Sequence, residues 1–537
     1  MAGWNFGDIL DAIAPVLPPD APAFIHGART ISWRDADHMT NNLARGMIAR
    51  GARPGDKVAF YMRNGPEYTM TLAAALKARL THVNVNYRYT PEEVWYIFDD
   101  SDAQTVVYAA AFRDAVAQIR PRLPKVKTWI EVNDGGDVAP FAEWFDTIAQ
   151  DGNGAPLDIE RSGADQLFIY TGGTTGMPKG VMWAHEDLRE LMVAPLRRFG
   201  AVPETLDQMA AQVKAVGPGP RVLPAPPLMH GTGLLTAFSA HIAGGCVITL
   251  TKPSFDAEEM LIAIDKHKPQ NLSIVGDSFA KPLLNALNAA PGKYDVSSVQ
   301  MITSSGVMWS VEVKRGLLEH MPRAILTDAF SSSEALGMGT SIMAKGGETP
   351  TAKFAIGERC RVIDENDQFI EPGSDKPGMV AIAGPNPVGY YKDPEKTART
   401  FRVIDGVRYS IPGDFCLVAA DGTLTLLGRG NACINTAGEK VFPEEVEEAL
   451  KTHPSVEDAL VIGVPDEKWG QAITGIVRLK ENAALDEEAL RAHVRAKLAA
   501  YKTPKRVILA DVPLRASNGK ADYKAARETA ARALAGA

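Results

Sequence analysis

Between Tyr170 and Val181 the chain reads YTGGTTGMPKGV, directly after the apolar run Leu167-Phe168-Ile169. Backbone N–H groups left accessible by glycine, threonine hydroxyls and one ammonium can together surround an anion, so this stretch has the chemistry of a phosphate cradle. Its spacing is not that of the Walker A loop, which needs Gly-Lys followed by Ser or Thr; here Lys179 lies between Pro178 and Gly180. Read locally, an ordinary glycine-rich turn is the alternative.

Other polar residues have plain readings when taken locally. Ser331-x-x-Glu334 matches a helix capping box, the reading that the local sequence favours. Asp414, in YSIPGD, reads as a turn aspartate before a strand. His230, in PPLMHGTG, is by default a core or capping histidine. Arg429 reads as a solvated hinge residue. Lys520, in RASNGKADY, follows an Asn-Gly turn, where lysines are usually solvated.

The elements that must position these residues follow from pattern. Short apolar runs at Val58 to Tyr61, Leu167 to Tyr170, Leu272 to Val275, Met301 to Thr303 and Ile325 to Thr327 predict strands. Helix-period segments such as Asp256 to His267 and Ser278 to Asn288 lie among them. Strand then helix, repeated, predicts α/β layering with largely parallel strands. From about Gly378 to Leu427 the runs MVAIAG, FCLVAA and TLTLLG, broken by Gly, Pro and Asp-Gly, predict a β-rich subdomain. After Gly428-Arg429-Gly430 the pattern becomes strand, helix, strand, strand, helix, strand, the size of a small α+β domain. Its first helix is marked by Pro443 in the first turn, Glu444 and Glu445 beside it, and Val446 and Leu450 on one face. The expected division is residues 1–428 and 429–537, with a mobile joint between them.

At 537 residues the chain is too long for one core, and 45% hydrophobic with 23% charged residues is the balance of a globular protein. A net charge of −8 supplies no basic field for nucleic acid. Cys246, Cys360, Cys416 and Cys433 are scattered without a CxxC pair, which fits a reducing cytoplasm better than a zinc site or disulfide framework. Asp8 and Asp11 interrupt the N-terminal apolar residues, so no signal peptide is expected. Between Arg221 and Lys252 no Asp, Glu, Lys or Arg occurs. Prolines, histidines and Gly244-Gly245 break that tract into strand, loop and helix, so no integral membrane segment is expected. The tract could instead wall an apolar substrate. A homodimer is left open.

Taken in order, YTGGTTGMPKG, Asp328-Ala329-Phe330-Ser331-Ser332-Ser333-Glu334, YSIPGD and GRGNACINTAGEKVFPEEVE resemble the adenylate-forming superfamily: acyl-CoA synthetases, peptide-synthetase adenylation domains and beetle luciferases. The resemblance spans nearly the whole chain, and is greatest to bacterial long-chain fatty-acid and steroid side-chain acid CoA ligases.

The resemblance implies a large N-terminal ATP- and acyl-binding domain and a small mobile C-terminal one. It implies that a small-molecule carboxylic acid and ATP give acyl-AMP and pyrophosphate, after which coenzyme A displaces AMP. Thr171, Gly172, Gly173, Thr174, Thr175, Gly176 and Lys179 would then embrace the phosphates, with Gly173 where the family often has serine. Thr171 and Glu334 would ligate Mg²⁺, which keeps waters and takes phosphate oxygens besides. Ser305, Gly306, Asp328, Ala329, Phe330 and Ser331 would hold adenine, with Phe330 replacing the usual tyrosine. Asp414 would bind both ribose hydroxyls and Arg429 would approach ribose and phosphates. His230 would face the substrate carboxylate, with Gly231, Gly233, Gly276 and Gly306 leaving a slot beside it. Lys520 would bridge carboxylate and α-phosphate during adenylation, and Gly438 would approach the pantetheine afterwards. Ala432 stands where the family commonly has an acidic residue, which leaves the pivot of the joint open. The rival readings are an acyl-AMP ligase that loads a carrier protein, an oxidative light emitter, and a non-catalytic nucleotide-binding sensor.

Overall fold

Strands that lie inside a parallel sheet are buried on both faces, so apolar runs rather than alternating ones are their signature. Val58, Ala59, Phe60 and Tyr61 are all buried in the strand Lys57–Tyr61. The coordinates are a computed structural model that describes residues 3–133, 135–171, 177–193, 197, 200, 202–347, 351–429, 434–436, 439–466, 470–516 and 519–535. Two compact units are distinguished: residues 1–337, 341–349 and 383–410 form one, and 338–340, 350–382 and 411–537 the other.

The first unit is built on two sheets. One has the order Gly389–Tyr390, Lys179–Ala184, Gln166–Thr171, Thr81–Asn84, Lys57–Tyr61, Ala103–Ala109, Thr128–Val132, Glu143–Trp144. All neighbours from Gln166–Thr171 onward are parallel, and Lys179–Ala184 runs antiparallel to both of its own. The other sheet runs Ile325–Phe330, Met301–Ser305, Asn271–Ile274, Arg221–Pro224, Cys246–Thr249, Pro22–His26 in parallel, with Arg29–Ser32 antiparallel beside the last. The α/β layering expected from the sequence is present. The predicted helices are Ala257–His267, capped by Asp256, and Gly276–Ala289. The uncharged tract folds as strand, loop, the helix Gly231–Ile242 and the strand Cys246–Thr249. Among the described residues no helix is long and apolar enough to cross a membrane.

The second unit holds an antiparallel sheet of Lys353–Phe354, Leu424–Arg429, Asp414–Val418 and Gly378–Ala383, to which Cys360–Ile363 adds. A further sheet of Glu439–Val441, Ile434–Thr436, Gly470–Leu479, Val456–Asp466 and Arg506–Leu509 carries the helices Pro443–Lys451, Glu487–Lys497 and Tyr523–Ala535. Val446 and Leu450 are buried together, as their spacing requires.

Three histidines of the first unit are fully buried and neutral. His82 bridges the Tyr68 hydroxyl (3.1 Å) and the Phe168 carbonyl (3.0 Å), and burial lowers its pKa to about 4. Burial likewise lowers His185 to about 4, while burial and then the charge of Lys77 lower His241 to about 3. The unfolded chain therefore binds protons in this range that the folded one refuses. The stability these groups contribute is complete above their ordinary pKa of 6.5 and is lost as pH falls toward 4. His241 stacks on Trp33 with ring centres 4.5 Å apart. His241→Phe should keep that stack and flatten the fall of melting temperature between pH 6.5 and 4; an unchanged slope would contradict the assignment.

Candidate functional site

Thr171 ends one strand and Lys179 begins the next, and the two are partners in antiparallel register. Residues 172–178 therefore join two strands of a sheet, whereas a Walker loop leads from strand to helix. Gly172, Gly173, Thr174, Thr175 and Gly176 lie outside the described residues. The Lys179 ammonium is 3.5 Å from Asp100 Oδ1 and 6.0 Å from the centre of the Tyr96 ring. The Tyr170 hydroxyl donates to Asp100 Oδ2 at 2.9 Å. Burial opposes the charge of Lys179, but hydrogen bonding to Tyr96 and the field of Asp100 outweigh it and raise the pKa, so the side chain is a full cation at neutral pH. Gly180 is required beside it, since a Cβ there would lie 2.7 Å from the Tyr170 ring.

Asn84, the last residue of Thr81–Asn84, ties this hairpin to the loop that carries His230. Its amide donates to the carbonyls of Tyr170 (2.9 Å) and Met229 (2.8 Å), and its oxygen accepts the Tyr170 N–H at 2.6 Å. His230 precedes the helix Gly231–Ile242 in an extended conformation and is half-buried. The slot expected from four glycines is narrower in scope. A Cβ at Gly231 or Gly306 would meet nothing within 4 Å, but one at Gly233 or Gly276 would strike the carbonyl of Pro227 (2.5 Å) or Met308 (2.4 Å). Close backbone packing accounts for those two.

No helix begins at Ser331, so the capping-box reading of Glu334 does not hold. The Ser331 hydroxyl accepts the Gly337 N–H at 3.0 Å instead. Glu334 is 8% exposed, and its Oε1 accepts a hydrogen bond from the Tyr390 hydroxyl at 2.7 Å. Its carbonyl accepts from Ser410 Oγ at 2.6 Å, and the Trp183 indole donates to the Ser333 carbonyl at 3.0 Å. Tyr390 pairs with Val181 in the strand that Lys179 begins. Glu334 is thus fastened to the sheet edge that carries the glycine-rich hairpin.

The expected adenine residues are brought together by register. The strand Ile325–Phe330 runs beyond its predicted end at Thr327, so Asp328, Ala329 and Phe330 are its final residues rather than a following loop. Ser304 lies opposite Asp328 and Ser305 opposite Ala329. Gly306 follows with φ of +92°, a left-handed turn that glycine adopts readily. These are the carboxyl ends of parallel neighbours, the place where open α/β sheets bind ligands. Phe330 and Asp328 are buried, and Ser331 is partly buried. Asp328 pairs with the buried Lys314 at 3.3 Å, yet burial prevails and raises its pKa to about 6.

In the second unit Asp414 is 6% exposed and is the register partner of Arg429 across the antiparallel pair. Gly438 lies outside the described residues. Lys520 is exposed, in a turn whose Ala516 N–H donates to the Lys520 carbonyl at 2.9 Å.

The sequence reading did not single out Asn84, Asp100, Lys314 or Tyr390. Asn84 and Tyr390 belong to strands far along the chain from the groups they orient, and nothing local marks them. Asp100 ends a helix, where a carboxylate is unfavourable beside exposed carbonyls, and that mismatch was the one available signal.

The model of the AMP-binding enzyme family matches residues 13–391, and that of the AMP-binding enzyme C-terminal domain matches 445–520. A 3-oxocholest-4-en-26-oate–CoA ligase of Rhodococcus rhodochrous is 40% identical over 98% of this chain and 95% of its own. A medium/long-chain-fatty-acid–CoA/3-oxocholest-4-en-26-oate–CoA ligase of Mycobacterium marinum is 39% identical over 98% and 96%. In fold, an anthranilate CoA ligase solved with anthranoyl-AMP matches with a TM-score of 0.84 at 20% identity, over 100% of this chain and 99% of that one. Sequence and fold agree: this chain belongs to the AMP-binding enzyme family, the ATP-dependent acid–thiol ligases.

Proposed function

We propose that this acid–CoA ligase activates medium- to long-chain apolar acids, fatty acids or the side-chain acids of steroids. ATP and the acid give acyl-AMP and pyrophosphate, and the CoA thiol then displaces AMP. The observation that carries the reading is the Asn84 bridge, which sets the loop of His230 and the uncharged tract behind it against the strand ending in Thr171. The acid's carboxylate would lie at His230 and its apolar remainder along that tract, where a second charge would be buried unpaired. The names of the relatives in Rhodococcus and Mycobacterium support the same class of acid.

Lys179 and the hairpin amides would hold the β- and γ-phosphates. Ser305, Gly306, Asp328, Ala329, Phe330 and Ser331 would hold adenine, and Asp414 and Arg429 the ribose. Glu334 and Thr171 fit a Mg²⁺ ion, which when bound supplies charge neutralisation at the phosphates; the hydroxyl of Tyr390 fixes the carboxylate that would face it. Lys520 would serve adenylation and Gly438 the thioester step, on a small domain that turns at Gly428-Arg429-Gly430. Buried, unbridged Cys246, Cys360 and Cys416 support a cytoplasmic setting.

Pyrophosphate release measured over acetate, malonate, hexanoate, palmitate and a steroid side-chain acid tests the acyl assignment. With burial contributing about 0.8 kcal/mol per methylene, kcat/KM should rise roughly fourfold per methylene until the pocket is filled. Preference for acetate or malonate would overturn it, and turnover with a carrier protein in place of CoA would favour the acyl-AMP ligase.

A further inference from the structure

Lys520 occupies the turn of a small hairpin. Arg515 bridges to Ala521 across it, and the Asp522 N–H donates to the Leu514 carbonyl at 2.9 Å. Leu514 is buried in the apolar core with residues of the strand Val456–Asp466 and the helix Tyr523–Ala535, and Ala521 and Tyr523 pack against the same cluster. Polar contacts hold the two feet. Arg515 Nε and Nη2 donate to Asp458 Oδ2 and Oδ1 at 2.8 and 2.7 Å, a bidentate fork. Tyr523, just beyond the turn, donates its hydroxyl to Glu447 Oε1 at 2.9 Å, and the same oxygen accepts the Val461 N–H at 2.9 Å.

Isolated surface ion pairs fix little, because two long side chains keep other conformations. This one differs: the fork is planar, both partners are about one-fifth exposed, and a second hydrogen bond anchors the opposite foot. Glu447 is buried, which pushes its pKa up to about 7, so folding keeps a costly carboxyl beneath the turn. A structural core here would be served better by apolar residues.

Resting on the reading of Lys520 as the adenylation lysine, we propose that the Arg515–Asp458 fork and the Tyr523–Glu447 hydrogen bond are positioning devices for its ammonium. They fix the direction in which the turn leaves the small sheet. A catalytic cation is effective only within about half an ångström of its place. Pairing of opposite feet supplies that tolerance by fixing direction, which apolar packing of Leu514 and Ala521 leaves less defined.

The test uses the full chain and its two half-reactions. Asp458→Asn, Arg515→Lys and Tyr523→Phe should each lower the rate of acyl-AMP formation at saturating ATP and acid, by about tenfold for the first two. KM values should change little. Thioester formation from synthetic acyl-AMP and CoA should stay within about twofold of normal. In the double variant Asp458→Asn/Lys520→Ala the loss should be no greater than in Lys520→Ala alone, because nothing is left to position. Additive losses, or equal losses in both half-reactions, would show a merely structural role and overturn the proposal. Should Asp458→Asn not fold, Arg515→Lys and Tyr523→Phe decide on the same readouts. Normal adenylation by Lys520→Ala would overturn the underlying reading; loss by that variant with normal adenylation by Asp458→Asn and Arg515→Lys would overturn only the positioning role.

Discussion

Lys520→Ala is expected to form acyl-AMP from acid and ATP at about 10² to 10³ below the normal rate, the loss that follows removal of one preorganised donor. The same variant, given synthetic acyl-AMP and CoA, should form thioester at close to the normal rate. The reason is the order of the two reactions. Two anions must be brought together in the first, where an ammonium shared between carboxylate and α-phosphate lowers the barrier. The second begins from a neutral acyl carbonyl and needs a path for the thiol instead. Lys520 is exposed in its turn, so the substitution removes little packing and the melting temperature should hold. Normal adenylation would reduce Lys520 to a solvated residue, and loss of both half-reactions with an intact fold would mean that one arrangement serves the whole cycle.

Glu334→Gln should reduce acyl-AMP formation on the order of 10²-fold and raise the Mg²⁺ concentration needed for half-maximal rate. Its amide oxygen can still accept the Tyr390 hydroxyl, so the tie to the strand beginning at Lys179 should survive. What disappears is the negative charge. Initial rates over a Mg²⁺ titration separate the two contributions: full activity at limiting Mg²⁺ would make Glu334 a structural carboxylate of the sheet edge. Tyr390→Phe is the companion measurement, since it keeps the charge while releasing its orientation.

Parallel strands were legible because each is a short apolar run with a helix-period segment after it, and the glycine- and threonine-rich stretch between Thr171 and Lys179 stood out because those residue types are informative. The Ser331-x-x-Glu334 pattern shows the opposite case. Locally it favours a helix start, but Gly337 takes the serine and Tyr390 the glutamate, and tertiary partners override the local preference. Asp328 to Phe330 were misplaced for a related reason: Ser305 and Ala329 pair beyond the apolar run, and sequence periodicity carries no account of a neighbouring strand. Gly233 and Gly276 read as space for a ligand, whereas carbonyls of Pro227 and Met308 fill it. Asn84, whose hydrogen bonds align two loops, has no local pattern to betray it.

The hairpin between Thr171 and Lys179 has a consequence for turnover. A phosphate at a helix N-terminus meets about half an elementary charge from the backbone alone, whereas strand dipoles largely cancel. At this hairpin Lys179 is the formal charge of the pair of strands, and Asp100 already stands 3.5 Å from it as a resident counter-ion. If Lys179 holds the phosphates as proposed, nucleotide binding would be an ion exchange, in which a phosphate displaces a carboxylate from the ammonium. After the P–O bond breaks the exchange would run backward: Asp100, held in place by the Tyr170 hydroxyl, would compete at once for the cation and ease pyrophosphate out.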